Sequence, residues 1–418
     1  MSYITIEGGN KLEGDIPLQG SKNATLPILA ASVLCNGTVI LKNCPDITDV
    51  REMLHALSYA GVRSSLHDGI LELDTSNAVP CYFGPELAGK TRGGVLLLGA
   101  FTGRFGEAGM AYPGGCVIGA RPIDLHCKVL RDLHTTLTEE EEGVFVKGKP
   151  GGGHVFLSYP SVGATENAVL AAVCAGGRTV ISGAAMEPEV SELCRFLNRA
   201  GAKISGIGTR HIVIDGVRRL HETEYTITGD RIVAGTYLAA AAMSGGEVIL
   251  RKTRRVCMKG IFESFRAVGA RIYRDCDTLV LKAPDTLHSI PELVTAPFPA
   301  FPTDMQSQMT ALLSVAKGDS RIYETVFESR FGVVTELQKM GADVRNRGRF
   351  ALIHGVEKLH GASVAASDLR SGAALVLAAA VAEGQSKVYG YDFIARGYED
   401  ICGIFRLLGA RIEITEEK

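Results

Sequence analysis

Four times in this chain a helix-like run ends in Gly-Ala and passes straight into an apolar, strand-like start. The copies are Ala200-Gly201-Ala202-Lys203-Ile204, Val268-Gly269-Ala270-Arg271-Ile272, Met340-Gly341-Ala342-Asp343-Val344 and Leu408-Gly409-Ala410-Arg411-Ile412. Their glycines, Gly201, Gly269, Gly341 and Gly409, fall at a nearly constant interval. A glycine at such a point is the expected left-handed stop of a helix that feeds a strand. Ala60-Gly61-Val62 is a looser copy, two such intervals before Gly201. A sixth copy is therefore expected near residue 131, where Leu130-Arg131-Asp132-Leu133-His134-Thr135-Thr136-Leu137 fits with its Gly-Ala eroded. Recurrence at a fixed period means one supersecondary unit used repeatedly, and the fold must be built from six of them.

A second marker runs in phase with the first. Alanine-rich helices end at Gly and re-enter a β-like run at Leu26 to Val39, Ala168 to Val180, Gly235 to Val248, Ala311 to Ile322 and Ala373 to Val388. Their small, apolar faces predict helices packed inside the unit. The copy expected around Leu96 to Met110 reads as interrupted by the irregular segment that follows it. Six copies form two groups of three, divided near residue 229, where Ile227-Thr228-Gly229-Asp230 precedes a fresh alanine-rich helix. The predicted class is α/β, with two lobes of three repeated units, each lobe a ring with helices inside and sheets outside. One lobe takes residues 21–229 and the other residues 1–20 plus 230–418, although Tyr3 to Leu18 could complete either. Helix N-termini pointing one way from each lobe would line a cleft between them that favours anions.

The 418 residues suffice for two or three full cores, and 46% hydrophobic with 22% charged residues is ordinary for a globular protein. A net charge of −2 argues against a nucleic-acid surface spread over the whole molecule. Ten cysteines without a C-x-x-C pair suggest neither zinc nor a redox motif and fit a reducing cytoplasm. The start, Met1-Ser2-Tyr3-Ile4-Thr5-Ile6-Glu7-Gly8, alternates like a strand and lacks the order of a signal peptide. No uncharged apolar run reaches the length of a membrane span, so no membrane insertion is expected.

The irregular segment is Tyr112-Pro113-Gly114-Gly115-Cys116-Val117-Ile118-Gly119-Ala120-Arg121-Pro122. Two glycines able to take positive φ precede a thiol, and a guanidinium follows at Arg121, so the segment reads as a loop that can bend over a ligand. A thiol near fixed positive charge can exchange a proton near neutral pH. Equally, Cys116 could be one buried cysteine among ten. Ionic residues also gather just before the alanine-rich helices: Lys22, Asp230-Arg231, Asp304, and Asp368 with Arg370. Aspartate there is a common N-cap. Cations at positive helix ends are harder to explain without an anionic ligand. Arg92, Arg330 and Arg396 add further positive charge, the last two about one repeat apart and equivalent within it. No phosphate-binding glycine loop, zinc-protease helix or nucleophile elbow is present, which leaves acid–base chemistry with charge stabilisation by Arg and Lys.

These residues are recognisable. Gly20-Ser21-Lys22-Asn23, Pro113 to Pro122, Ser161-Val162-Gly163-Ala164-Thr165, Phe301-Pro302-Thr303-Asp304, Glu328-Ser329-Arg330-Phe331, Asp368-Leu369-Arg370 and Arg396-Gly397-Tyr398-Glu399 together resemble the enolpyruvyl transferase family from end to end. The P-G-G-C-x-I-G-x-R-P loop sets the chain apart from the branch that uses shikimate 3-phosphate. The resemblance implies an inside-out α/β barrel of two lobes. It also implies transfer of the enolpyruvyl group of phosphoenolpyruvate to the 3-hydroxyl of UDP-N-acetylglucosamine, with release of phosphate, at the start of peptidoglycan synthesis. No metal or organic cofactor is indicated by the sequence. In that reading Cys116 is the general acid for C3 of phosphoenolpyruvate and the thiol that fosfomycin alkylates. Asp304 accepts the proton of the sugar hydroxyl. Lys22, Arg92, Arg121, Arg330, Arg370 and Arg396 neutralise phosphate and carboxylate. Asn23 bonds the sugar hydroxyl or the tetrahedral intermediate, and Asp368 orients these groups. Ser161, Val162, Gly163 and Val326 line the nucleotide-sugar side, with Pro122 and Leu125 near the uracil. Tyr159, Met186 and Val233 depart from the family pattern without removing an implied acid or base.

Overall fold

The computed structural model describes residues 2–90, 92–112, 119 and 122–416. The copies share one plan, in which a central helix leads from one strand to a parallel neighbour and an outer helix then leads to two antiparallel strands, although three of the sheets borrow a strand from elsewhere in the chain. In the third copy His154–Phe156 runs parallel to Arg178–Ser182, which pairs antiparallel with His211–Asp215, and that strand in turn with Lys203–Ser205. The order follows from connection length, because a parallel pair needs a long crossover, here the central helix, whereas an antiparallel pair closes through a tight turn. The other five sheets have the same four-strand order.

The chain divides into two compact units, Gly20–Gly115 with Arg121–Thr228, and Met1–Gln19 with Gly229–Lys418. The unit beginning at Gly20 holds α1 (Lys22–Ser32), α2 (Thr48–Tyr59), α3 (Pro85–Ala88), α4 (Leu96–Phe105), α5 (Asp124–Asp132), α6 (Val162–Ala172) and α7 (Pro188–Arg199). Three of these, α1, α4 and α6, pack against one another, and their sides are buried all round from Ala24 to Ser32, Leu96 to Gly103 and Ala164 to Ala172. The helices α2, α5 and α7 are amphipathic and cover this centre. The other unit repeats the arrangement. It holds α8 (Arg231–Ser244), α9 (Lys259–Ala267), α10 (Gln306–Leu313), α11 (Val333–Lys339), α12 (Leu369–Val381), α13 (Tyr391–Ala395) and α14 (Ile401–Leu407), with α8, α10 and α12 mutually packed at its centre. Among the described residues no helix is long and apolar enough to cross a membrane.

The expected interruption of the Leu96 to Met110 copy is not found. The helix α4 is regular, and the irregular segment follows the strand Glu107–Met110 instead. What departs from the alanine pattern is packing distance. A Cβ on Gly99 would fall 2.4 Å from the Asn167 side-chain oxygen, and one on Gly103 would fall 2.7 Å from the Leu170 carbonyl. Glycine replaces alanine because α4 and α6 approach too closely for a methyl group. The eroded sixth marker is present in conformation if not in sequence. Two residues past the end of α5, His134 has φ 63°, at the place where Gly61, Gly201, Gly269, Gly341 and Gly409 have φ 85°, 103°, 95°, 88° and 98°. A histidine tolerates this left-handed region better than a branched residue does.

Tyr3 to Leu18 completes the unit that begins at Gly229. Ser2–Glu7 lies between Gln385–Tyr389 and Arg411–Glu416, and Gly14–Pro17 pairs parallel with Glu247–Arg251. The other unit closes on itself, since Thr223–Thr226 pairs parallel with Thr38–Lys42.

Candidate active site

In the unit beginning at Gly229, three of the residues singled out by sequence meet. Asp304 lies in a single 3-10 turn, Thr303–Met305, that leads into α10, and its side chain caps no helix. One carboxylate oxygen accepts from Arg330 Nη2 at 2.7 Å, the other from Arg370 Nη2 at 2.8 Å. The arginine side chains are 3% and 5% exposed, that of Asp304 25%. Burial alone would push the Asp304 carboxyl up, but the charges of Arg370 and then Arg330 hold it well below the ordinary carboxylate range. Burial likewise disfavours the Arg370 charge, yet Asp304 foremost, then Tyr398 and Asp230, leave it raised.

The surroundings of this clasp are directional. Arg330 Nη1 donates to Thr303 Oγ1 at 3.1 Å, and that hydroxyl donates to Glu324 at 2.9 Å. The other Glu324 oxygen accepts from the main-chain N–H groups of Val326 and Phe327, at 2.8 and 3.2 Å. Val326 is thereby held beside the clasp, and the Phe327 ring lies under the Arg330 guanidinium at 5.1 Å. Among the described residues Arg330 Nε has no hydrogen-bond partner. On the far side of Arg370, the buried Tyr398 hydroxyl is 2.7 Å from Thr236 Oγ1. Thr236 donates its own proton to Ile232 O, so the Tyr398 hydroxyl is the donor to Thr236.

Asp368 is used differently from Asp304. It caps α12, accepting from the N–H groups of Arg370 and Ser371 at 2.8 and 3.1 Å, with Ser371 completing a capping box. Asp230 caps α8 in the same manner. Arg396 is half-buried at the C-terminal end of α13, two residues before Tyr398.

In the other unit, Lys22 and Asn23 open α1, and Lys22 Nζ pairs with the buried Asp49 at 2.7 Å. A cation at a positive helix end is unfavourable by itself, and Asp49 offsets it. Ser161 caps α6 as Ser21 caps α1. In each case a threonine four residues on, Thr165 or Thr25, donates back to the serine carbonyl at 2.7 Å. Val162 and Gly163 thus form a first helical turn whose N–H groups face outward along the axis, a ready anion site. Leu125, in α5, packs on the core of this unit, and Pro122 is exposed just before that helix. Cys116 and Arg121 lie outside the described residues, as does the side chain of Arg92, whose backbone begins the turn Arg92–Val95.

Sequence reasoning missed Asp49, Thr303 and Glu324. Nothing in the spacing of Asp49 marks it as the partner of Lys22, which belongs to an earlier helix. Thr303 and Glu324 matter through a chain of hydrogen bonds that only the tertiary fold creates.

Comparison with known proteins adds an independent line. A family described as EPSP synthase (3-phosphoshikimate 1-carboxyvinyltransferase) matches residues 6–405. A Caldanaerobacter subterraneus subsp. tengcongensis protein named UDP-N-acetylglucosamine 1-carboxyvinyltransferase 2 is 42% identical over 413 residues, covering 99% of both chains. A Dichelobacter nodosus protein named UDP-N-acetylglucosamine 1-carboxyvinyltransferase is 43% identical over 419 residues, covering 100% of both. Among solved structures, the enolpyruvyl transferase NikO from Streptomyces tendae superposes with a TM-score of 0.87 at 24% identity, covering 99% of both chains. An EPSP synthase from Acinetobacter baumannii gives 0.78 at 18% identity over 100% of both. At that distance the two structures speak for the fold.

Proposed function

The chain belongs to the EPSP synthase family, and from that premise we propose that it is a UDP-N-acetylglucosamine 1-carboxyvinyltransferase. It moves the enolpyruvyl group of phosphoenolpyruvate to the 3-hydroxyl of UDP-N-acetylglucosamine and releases phosphate, the first committed step of peptidoglycan synthesis, in the cytoplasm. The observation that carries this reading is identity of 42% and 43% along essentially the whole chain to relatives of that name. The carboxylate held between two buried arginines supports it, because the reaction must manage one proton and several negative charges at once.

In this mechanism Cys116 protonates C3 of phosphoenolpyruvate, which leaves C2 oxocarbenium-like. The sugar 3-hydroxyl adds to C2 and gives its proton to Asp304. Elimination then returns a proton from C3 to the Cys116 thiolate, re-forms the double bond and expels phosphate, which carries away the proton that Asp304 had taken. The geometry bears on when Asp304 can act. While both arginines hold it, the carboxylate is a weak base. The phosphate and carboxylate of phosphoenolpyruvate compete for the same guanidinium groups, and each hydrogen bond drawn away from Asp304 makes it more basic. The base is therefore armed by the substrate it serves. Lys22, Asn23, Arg92, Arg121 and Arg396 complete the anion-holding set.

The test is phosphate release from phosphoenolpyruvate by the purified protein. Release that depends on UDP-N-acetylglucosamine and is absent with shikimate 3-phosphate is the expected result. Equal release with shikimate 3-phosphate, or none with either acceptor, overturns the reading.

A further inference from the structure

Arg330 is held from two directions, and Asp304 is only one of them. Its Nη2 reaches Asp304 at 2.7 Å and its Nη1 reaches Thr303 Oγ1 at 3.1 Å. A guanidinium can only donate, so the threonine oxygen accepts from it and must send its own proton elsewhere. That proton goes to Glu324, at 2.9 Å. Glu324 is the last residue of the strand Asp319–Glu324 and is 0% exposed. A buried carboxylate is costly unless its oxygens are satisfied, so the groups around it are informative.

Three groups meet those oxygens: the Thr303 hydroxyl at one, the main-chain N–H groups of Val326 and Phe327 at the other. All three are donors. Only a side chain that accepts at both ends suits them, which a carboxylate does and an amide does not. The strand end itself is secured by other bonds. The Thr325 N–H donates to Thr295 Oγ1 at 3.1 Å, and the Thr325 hydroxyl donates to the Thr295 carbonyl at 2.6 Å. Arg349 donates to the Thr325 carbonyl at 2.9 Å, and its own carbonyl accepts from the Glu324 N–H at 2.8 Å. The chemistry of the Glu324 side chain is thus left over from the needs of the strand. Its two oxygens do different work. One holds Val326 and Phe327, and the other meets Arg330 through a single hydroxyl. An anion that draws Arg330 away from Asp304 competes with an oxygen that is partly exposed, whereas Glu324 is out of its reach.

We propose that Glu324, acting through Thr303, is a positioning residue for Arg330. It turns the threonine hydroxyl so that a lone pair faces the guanidinium, and this lasting tether keeps the fork aimed at Asp304 and at the anion that displaces it. The inference rests on the function proposed above, in which Arg330 meets phosphoenolpyruvate.

The two jobs of the carboxylate can be cut apart. Thr303→Val keeps the branched shape and removes the hydroxyl, while Glu324 retains the N–H groups of Val326 and Phe327. Loss of one hydrogen bond to a charged group predicts kcat/KM for phosphoenolpyruvate lower by about 10- to 100-fold, with KM for UDP-N-acetylglucosamine within about twofold of wild type. Thr303→Ser returns the hydroxyl and should recover most of the rate. Glu324→Gln can leave its oxygen on the two N–H groups but turns a donor towards Thr303, so it should lose the same parameter. Because both changes break one chain, the double variant should be no slower than the slower single variant. Losses that multiply in the double variant, undiminished kcat/KM in Thr303→Val, or no recovery in Thr303→Ser overturn the proposal. If Thr303→Val melts below the assay temperature, Glu324→Gln carries the test. A loss confined to phosphoenolpyruvate then supports the tether, and wild-type kcat/KM overturns it. Wild-type protein that turns over neither substrate would instead remove the functional reading on which the proposal rests.

Discussion

Asp304 and Asp368 stand at the starts of two central helices of the same unit, α10 and α12, and their carboxylates are used in opposite ways. Asp368 spends one oxygen on the main-chain N–H groups of its own helix, at 2.8 and 3.1 Å, and the other accepts from Ser367 at 3.3 Å. Those partners belong to the backbone or to the preceding residue, and they last as long as the helix does. Asp304 gives both oxygens to side-chain cations from distant parts of the chain, Arg330 and Arg370. Guanidinium groups can be shared with an incoming anion, whereas helix N–H groups engaged by a cap cannot. Asp368 is the capping residue of its copy, whereas in the other copy Pro302 holds the capping position and Asp304 stands two residues further on, inside the first turn. The same residue type is architecture in one copy and chemistry in the other, according to its position and the groups that hold its oxygens.

The largest expected effect removes the exchangeable carboxylate. Asp304→Asn should lower kcat by about 10²–10³, the usual range for one charge-handling group in an active site. It also leaves Arg330 and Arg370 buried without their shared anion, which is destabilising. Thermal melts should therefore show that inorganic phosphate stabilises the variant more than it stabilises the wild type. If phosphate raised both melting temperatures equally, the arginines would not be the groups that bind it. A smaller loss is expected for Arg330→Lys, which keeps the charge but not the planar fork that bridges Asp304 and Thr303. Steady-state kinetics should show kcat/KM for phosphoenolpyruvate down about 10- to 100-fold. Undiminished kcat/KM in that variant would mean the fork geometry is immaterial.

Much of this contrast was invisible along the chain. The Gly-Ala markers were enough to count six units, because a helix that must reverse into a strand needs a left-handed residue and glycine supplies it most easily. Even His134, which lacks the sequence mark, adopts the same φ. The irregular segment misled the reading of the neighbouring helix. The glycines of α4 look like helix breakers in isolation but are contact residues against α6. Asp304 and Asp368 read alike as candidate caps, since both precede an apolar helix. Only the resemblance to enolpyruvyl transferases separated them, and only the fold shows the arginines that do so physically. Asp49 was not legible at all. It matters through one side chain distant in sequence, Lys22, and no periodicity records such a pair.

Acid titration distinguishes the two aspartates next. The folded-state pKa of Asp304 is depressed well below its ordinary value of 3.8, so its ionised form contributes stability above that value. The contribution is lost as pH falls through the folded-state value, when the carboxyl is finally protonated between its arginines. The stability difference between wild type and Asp304→Asn should accordingly narrow as the solution is acidified below about pH 4. A difference that stayed constant across that window would show that Asp304 is not held ionised by Arg330 and Arg370.

The smallest effect belongs to the cap. Asp368→Ala removes the acceptor for two helix N–H groups and should cost about 1 kcal/mol of stability, within the usual range for an N-cap. In a unit of this size that is a fall of roughly 2–4 °C in melting temperature. Because one of those N–H groups belongs to Arg370, fraying of the first turn of α12 loosens the guanidinium that clasps Asp304. Turnover should therefore fall as well, by less than about tenfold, since the cap acts only through Arg370. Asp368→Asn keeps an oxygen that can cap and should restore both stability and rate. If Asp368→Asn were as slow as Asp304→Asn, the negative charge of Asp368 would itself be engaged in the reaction, and the two aspartates would no longer divide into cap and clasp.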